Sequence, residues 1–275
     1  MDFSWTDHQK ELKKAAAAFA KSKLNNDLIE RDRDSLFSRE GWKACADFGL
    51  QGLLMPAEFG GLGLDLFDAI ATLEGAGYGC RDNGLLFSIN AHIWGCEIAV
   101  LNFGTAAQKR KYLPGLCDGS IVGAHAMTEP GTGSDPFSML ATAEKRPDCY
   151  VLNGNKTFVT NAPVADVFTV YARTSPGKGF AGLSCFLVQR NIQGLTVGRD
   201  FEKMGLRTSP MSEVTFADCR VPNDSLLGEE GSGAFVFTDA MEWERAFIMA
   251  CAIGSMERQL ELCIRYKNTR KQGGR

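Results

Sequence analysis

Apolar and polar positions along this chain change their period twice. Through the first half they recur at helical spacing. Leu12, Ala15, Ala16 and Phe19 share one face, and Thr6-Asp7-His8-Gln9 ahead of them fits a capping box. Ser38 precedes a short helix carrying Trp42, Cys45, Ala46 and Phe48, and Gly49 is placed to cap its C-terminus. Further helices are predicted over Asp65 to Tyr78 and Asn83 to Phe103. The second is too apolar to have a solvated face over much of its length. Gly104 ends it, and Thr105 with Gln108 can box the next helix.

Near Ser120 the period shortens. Cys149-Tyr150-Val151-Leu152 and Lys156-Thr157-Phe158-Val159 flank Asn153-Gly154, which reads as a short hairpin. Phe168 to Tyr171, Ser184 to Val188 and Val214 to Phe216 continue a series of short strands. No helix intervenes between them, which predicts antiparallel rather than parallel pairing. After Gly231 helical spacing returns, with Phe235, Ala240, Phe247, Cys251 and Met256 among the apolar positions of one helix reaching about Lys267. The fold class is therefore α+β. An N-terminal helical domain spans 1–119, a middle antiparallel β domain 120–229 and a final helix 230–275. There is no internal repeat or low-complexity segment.

Composition narrows the function classes. A net charge of -3 over 275 residues, with basic residues scattered, leaves no electrostatic footprint for nucleic acid. The Lys10, Lys13, Lys14 and Arg31, Arg33 clusters read as solvated helix faces. Nine cysteines, odd in number and without a C-x-x-C pair, stand beside three histidines. That pattern favours buried thiols in a reducing cytoplasm over disulfides or zinc. No signal-like opening and no apolar run of spanning length are evident, so a soluble protein without a membrane partner is expected. His92, inside an apolar helix, reads as a satisfied core residue. No Ser-His-Asp pattern or metal-ligand cluster is present.

The most informative stretch runs from His125 through Met127-Thr128-Glu129-Pro130-Gly131-Thr132-Gly133-Ser134-Asp135. A strand passes there into a turn whose glycines permit close backbone approach, with Thr128 and Ser134 adding hydroxyls. Such a turn suits a flat, polar-edged ring and an anionic tail. With Lys156-Thr157-Phe158-Val159-Thr160-Asn161-Ala162 downstream, this segment resembles the flavin-contacting signature of the acyl-CoA dehydrogenase family. Leu54 to Gly63, Phe103 to Lys109, Lys203 to Arg207, Val221 to Gly228 and Arg270-Lys271-Gln272 resemble that family too, so the likeness covers almost the whole chain.

The resemblance implies FAD as cofactor and α,β-dehydrogenation of an acyl thioester, acyl-CoA or acyl-carrier-protein, as the reaction. Met127, Thr128, Gly133, Ser134, Phe158 and Thr160 are implied as flavin contacts. Phe158 stands where the family often has Trp. Arg270 resembles an arginine that pairs with flavin pyrophosphate from a neighbouring subunit. Many members place the catalytic base in a C-terminal helical bundle. Isovaleryl- and long-chain-type members instead use a glutamate before an arginine on the helix after the β domain, and Glu244-Arg245 matches it. Glu244 is thus the implied base, Ser134 and Arg245 the implied substrate contacts, and Glu242 a solvated neighbour. His125 is a further candidate for touching substrate.

Phe158 to Asp166 also resembles members acting on carrier-protein thioesters. The implied partners are an electron-transfer flavoprotein and further copies of the chain in a homodimer or homotetramer. The chain stops at Gln272-Gly273-Gly274-Arg275, where the family usually has an aromatic residue and more helix, which implies a C-terminally truncated member. Two other readings follow: an oxidase or monooxygenase-like relative, and a fragment that folds without flavin.

Overall fold

A computed structural model describes residues 4–273; the Gly274-Arg275 end lies outside the described residues. The N-terminal helices begin where side chains can receive free amides. Thr6, Ser38, Asp65, Asp82 and Thr105 each cap the helix that follows, and Thr6 with Gln9 and Thr105 with Gln108 close capping boxes. The helices are α1 (Asp7–Lys23), α2 (Leu28–Arg33), α3 (Arg39–Phe48), α4 (Leu66–Gly79), α5 (Asn83–His92), α6 (Ile98–Phe103) and α7 (Ala106–Cys117). Gly49 ends α3 in the left-handed region, at φ 91°.

Helix α4 explains its own glycines. It lies between α1 and a late helix, α9 (Ala250–Thr269). A Cβ on Gly75 would stand 2.1 Å from the Lys13 carbonyl oxygen, and one on Gly77 would stand 1.9 Å from that of Cys251. Only glycine lets these backbones come so close.

The apolar stretch 83–103 is not one uniform helix. A π-helical turn over Ile93–Glu97 separates α5 from α6. There the Gly95 carbonyl accepts from Thr169 Oγ1 at 3.1 Å and from His125 Nδ1 at 2.9 Å, which seats the helix on the sheet. By length and hydropathy (mean 1.4) these 21 residues do meet the requirement for a membrane span, contrary to the sequence reading. However, 83% of the window is buried inside the protein. The requirement for an apolar surround is met here by other parts of the fold.

The middle of the chain forms one eight-stranded sheet. Its strands are β1 (Gly123–Ala126), β2 (Thr142–Lys145), β3 (Cys149–Thr160), β4 (Val167–Arg173), β5 (Leu183–Gln189), β6 (Leu195–Val197), β7 (Met211–Pro222) and β8 (Leu226–Leu227). The order is β6-β7-β3-β2-β4-β5-β8, with β1 beside β4. Most pairs are antiparallel, but β1 runs parallel to β4 from Gly123↔Val167 to Ala126↔Val170, and Thr142 of β2 bridges Arg173 in the same sense. Thus β1 and β2 lie along one edge of β4, and residues 127–141 are an excursion between them.

The expected Asn153-Gly154 hairpin does not form. Cys149–Thr160 is one twelve-residue strand that runs straight through it. Asn153 exchanges hydrogen bonds with Asp218 on β7, at 3.2 and 2.8 Å. Gly154 sits at a register shift with φ 144°, its missing Cβ directed at Ala141 Cβ 2.6 Å away. The glycine marks a bulge and a close approach rather than a turn.

The single final helix is instead two: α8 (Gly233–Phe247) and α9, parted at Ile248 and Met249. One apolar core joins the helices to one side of the sheet, around Trp42, Trp94, Leu113 and Tyr171. A second lies within the sheet region, around Tyr150, Phe168 and Phe186. All nine cysteines are free thiols, and eight are buried.

Candidate active site

Strand β1 ends at Ala126, and the excursion after it carries Met127, Thr128, Gly133 and Ser134. Across from it, β3 breaks its register with β7 between Lys156 and Val159. At that bulge Phe158 adopts φ 55° and stands 64% exposed, although its neighbours Thr157 and Val159 are buried. A non-glycine residue in this region of backbone space costs about 1–3 kcal/mol, and such strain concentrates at functional sites. Phe158 is therefore not a core aromatic. Its nearest ring is Phe201, 5.5 Å away.

Helix α8 supplies the third wall. Phe237, Met241 and Glu244 recur at helical spacing and, with Arg245, face the same cavity of about 350 Å³. That cavity brings together Met127, Thr128, Gly133, Ser134, Phe158, Thr160, Glu244 and Arg245, as well as His125. Arg270 is not among them. It is exposed at the C-terminus of α9, away from this cavity. Phe87, Ala91, Pro136 and Thr157 complete the lining. Thr157 lies within the Lys156 to Ala162 segment, whereas sequence patterning did not single out the other three. Phe87 and Ala91 belong to a helix without a clear polar face, whereas the spacing of Phe237 and Met241 to Glu244 was a readable signal.

Glu244 is half-buried, and burial pushes its carboxyl above the ordinary carboxylate value, with Arg245 only partly opposing. Ala240, one turn before it, is fully buried, while Glu242 is exposed. His125 is fixed by its bond to the Gly95 carbonyl and held neutral. Burial takes it down to about 4. Its Nε2 has no hydrogen-bond partner among the described residues. His92 behaves as a core residue should: Nδ1 accepts the Gly123 amide at 2.9 Å, leaving Nε2 to donate to the Leu116 carbonyl at 3.1 Å.

The cavity suits a flat ring with a polar edge. Thr128, Ser134 and Thr160 bring hydroxyls to its lining, and Phe158, Phe237 and Met241 offer apolar area. A Cβ added at Gly131 or Gly133 would meet nothing within 4 Å among the described residues, so the turn leaves room beside its backbone. A carboxylate with a raised proton affinity faces that room, the arrangement needed to take a weakly acidic proton.

Comparison with known proteins covers most of the chain. Family models described as acyl-CoA dehydrogenase N-terminal, middle and C-terminal domain match residues 6–120, 124–219 and 231–275. An L-prolyl-[peptidyl-carrier protein] dehydrogenase of Pseudomonas fluorescens is 41% identical over 276 residues, covering all of this chain and 72% of that protein. Among solved structures, the prolyl acyl carrier protein oxidase AnaB superposes with a TM-score of 0.97 at 45% identity, over 99% of this chain and 72% of its own. PigA with FAD and proline gives 0.97 at 39% identity, over 100% and 72%.

Proposed function

The chain belongs to the acyl-CoA dehydrogenase family, and from that premise we propose that it performs FAD-dependent α,β-dehydrogenation of an acyl thioester with Glu244 as the base. One observation carries this reading: a desolvated carboxylate shares a cavity with the Thr128 to Ser134 turn and the Phe158 bulge. When bound, the flavin supplies the hydride acceptor that no side chain provides.

The chain's own residues do the rest. Thr128, Ser134 and Thr160 would hold the ring through their hydroxyls, and Phe158 would offer it apolar area. Glu244, dried by Ala240 and Met241, removes the α-proton and holds it on a carboxyl oxygen. Arg245 is exposed at the rim and carries the charge that meets an anionic carrier group. For the acyl group, similarity over the entire chain to prolyl-carrier-protein enzymes favours an aminoacyl, prolyl-type thioester on a carrier protein over a free acyl-CoA.

The test is a visible spectrum after incubation with FAD and desalting, followed by anaerobic addition of a prolyl thioester. Retained flavin that bleaches is the expected result. A colourless protein would instead favour the reading of a fragment without catalysis. Because the neighbour AnaB is named an oxidase, a second reading has oxygen rather than a flavoprotein reoxidising the flavin. Turnover in air without added acceptor selects it, and turnover only with an electron-transfer flavoprotein excludes it.

A further inference from the structure

Lys156 is the one lysine with no exposed surface among the described residues, and Glu129 beside it is 6% exposed. Neither takes part in proton abstraction. The ammonium donates to Glu129 Oε1 at 2.9 Å and to the Met127 carbonyl at 3.0 Å, with the Met139 sulfur at 3.8 Å. Glu129 accepts the Leu140 amide at 2.6 Å and the Ala141 amide at 2.9 Å. The Thr157 amide donates to the Thr128 carbonyl at 2.8 Å, and Glu129 and Thr132 exchange backbone bonds at 3.1 and 3.2 Å.

These bonds have a pattern. They tie the beginning of the 127–141 excursion, its end and the bulged strand β3 to one another. Between those ties Gly131, Gly133 and Ser134 are exposed. A buried ion pair adds little net stability over a well-packed apolar pair. Its distinctive property is direction: each charge fixes particular backbone groups on a different segment.

We propose that the Glu129–Lys156 pair is a positioning device for the flavin site, holding the Thr128 to Ser134 turn in a fixed place against the bulged strand that carries Phe158 and Thr160. Glu129 and Lys156 act through the backbone and are not themselves catalytic. This rests on the flavin reading above.

The test compares wild type with Lys156→Met and Glu129→Gln, the second nearly isosteric and retaining an oxygen for the Ala141 amide. Amide hydrogen exchange is measured on the flavin-free chain, and FAD affinity and Tm are measured separately. Exchange at the bonded amides of Glu129, Thr132, Leu140, Ala141 and Thr157 should accelerate by about tenfold or more while α1 and α4 are unchanged, and FAD Kd should rise by a similar factor. A folded variant with wild-type exchange at these amides overturns the proposal, as does one with wild-type FAD affinity. If Lys156→Met does not fold, Glu129→Gln decides. If wild type itself takes up no flavin, the flavin reading falls, and exchange alone decides whether the pair holds the turn.

Discussion

At the scale of single residues, Glu244 carries two consequences of one cause. Its proton affinity is raised by burial in the folded chain. The native state therefore binds the proton more tightly than the unfolded state. The stability this contributes is fully present below the unfolded value and is lost as pH rises through the folded one. At neutral pH the ionised carboxylate is a net cost, so Glu244→Gln should raise the Tm while lowering substrate-driven flavin reduction by about 10²–10⁴-fold. Unchanged reduction would remove Glu244 as the base. In the wild-type chain the reduction rate should climb with pH through a midpoint above 4.5, the ordinary value for glutamate; a midpoint at or below it would contradict a desolvated base. His125, already neutral above about 4, should add no second limb to this profile near neutrality. Phe158 offers the complementary case. Being exposed, it contributes little to the core, so Phe158→Ala should leave Tm nearly unchanged yet weaken FAD binding by roughly 0.5–1.5 kcal/mol, the usual worth of an aromatic contact. Titration of flavin fluorescence measures it, and an unaltered Kd would take Phe158 out of the site.

Elements show how one residue type serves opposite ends. Gly49 closes α3 and Gly154 bends β3, and the same flanking pattern that reads as a hairpin at Asn153-Gly154 is a bulge in the fold. The difference lies with Asp218 and Ala141, which are 65 and 13 residues away from their partners in sequence. Gly154→Val should destabilise by about 1–3 kcal/mol, through a φ of 144° and contact with Ala141. Urea denaturation reads this directly, and a change within about 0.5 kcal/mol would show that the strand tolerates a side chain there. The caps of α1, α3, α4 and α7 follow local chemistry and were legible from Thr6, Ser38, Asp65 and Thr105. The π turn at Ile93–Glu97 was not. There the Gly95 carbonyl bonds to His125 and Thr169, both on strands formed later in the chain.

For the whole molecule, the site is a junction. Turn, bulge and α8 meet only when the sheet is assembled and α8 lies on it, so a ligand seated there bears on folding as a unit. FAD at a hundred times its Kd should therefore stabilise the chain by about 2.7 kcal/mol, seen as a rise in Tm that grows with FAD concentration. A Tm independent of FAD would mean that no flavin is held by the described residues. The chain spans 72% of the length of the relative and structures it matches. Arg270 lies outside the cavity.

By itself the sequence determined the things set within a few residues: capped helices, short strands, and the ordered motifs that carry the family resemblance. It also held the proposed base Glu244 and the proposed flavin contacts, because their spacing within each motif is local. The tertiary structure alone decided which of these meet. It put β1 and β2 on one edge of β4, so that 127–141 projects beside the bulge of β3, and left Arg270 elsewhere. It also buried Lys156 against Glu129, a pair 27 residues apart in the chain. Pairing and burial depend on which distant segments exclude water from one another, and no period in a single stretch of chain records that.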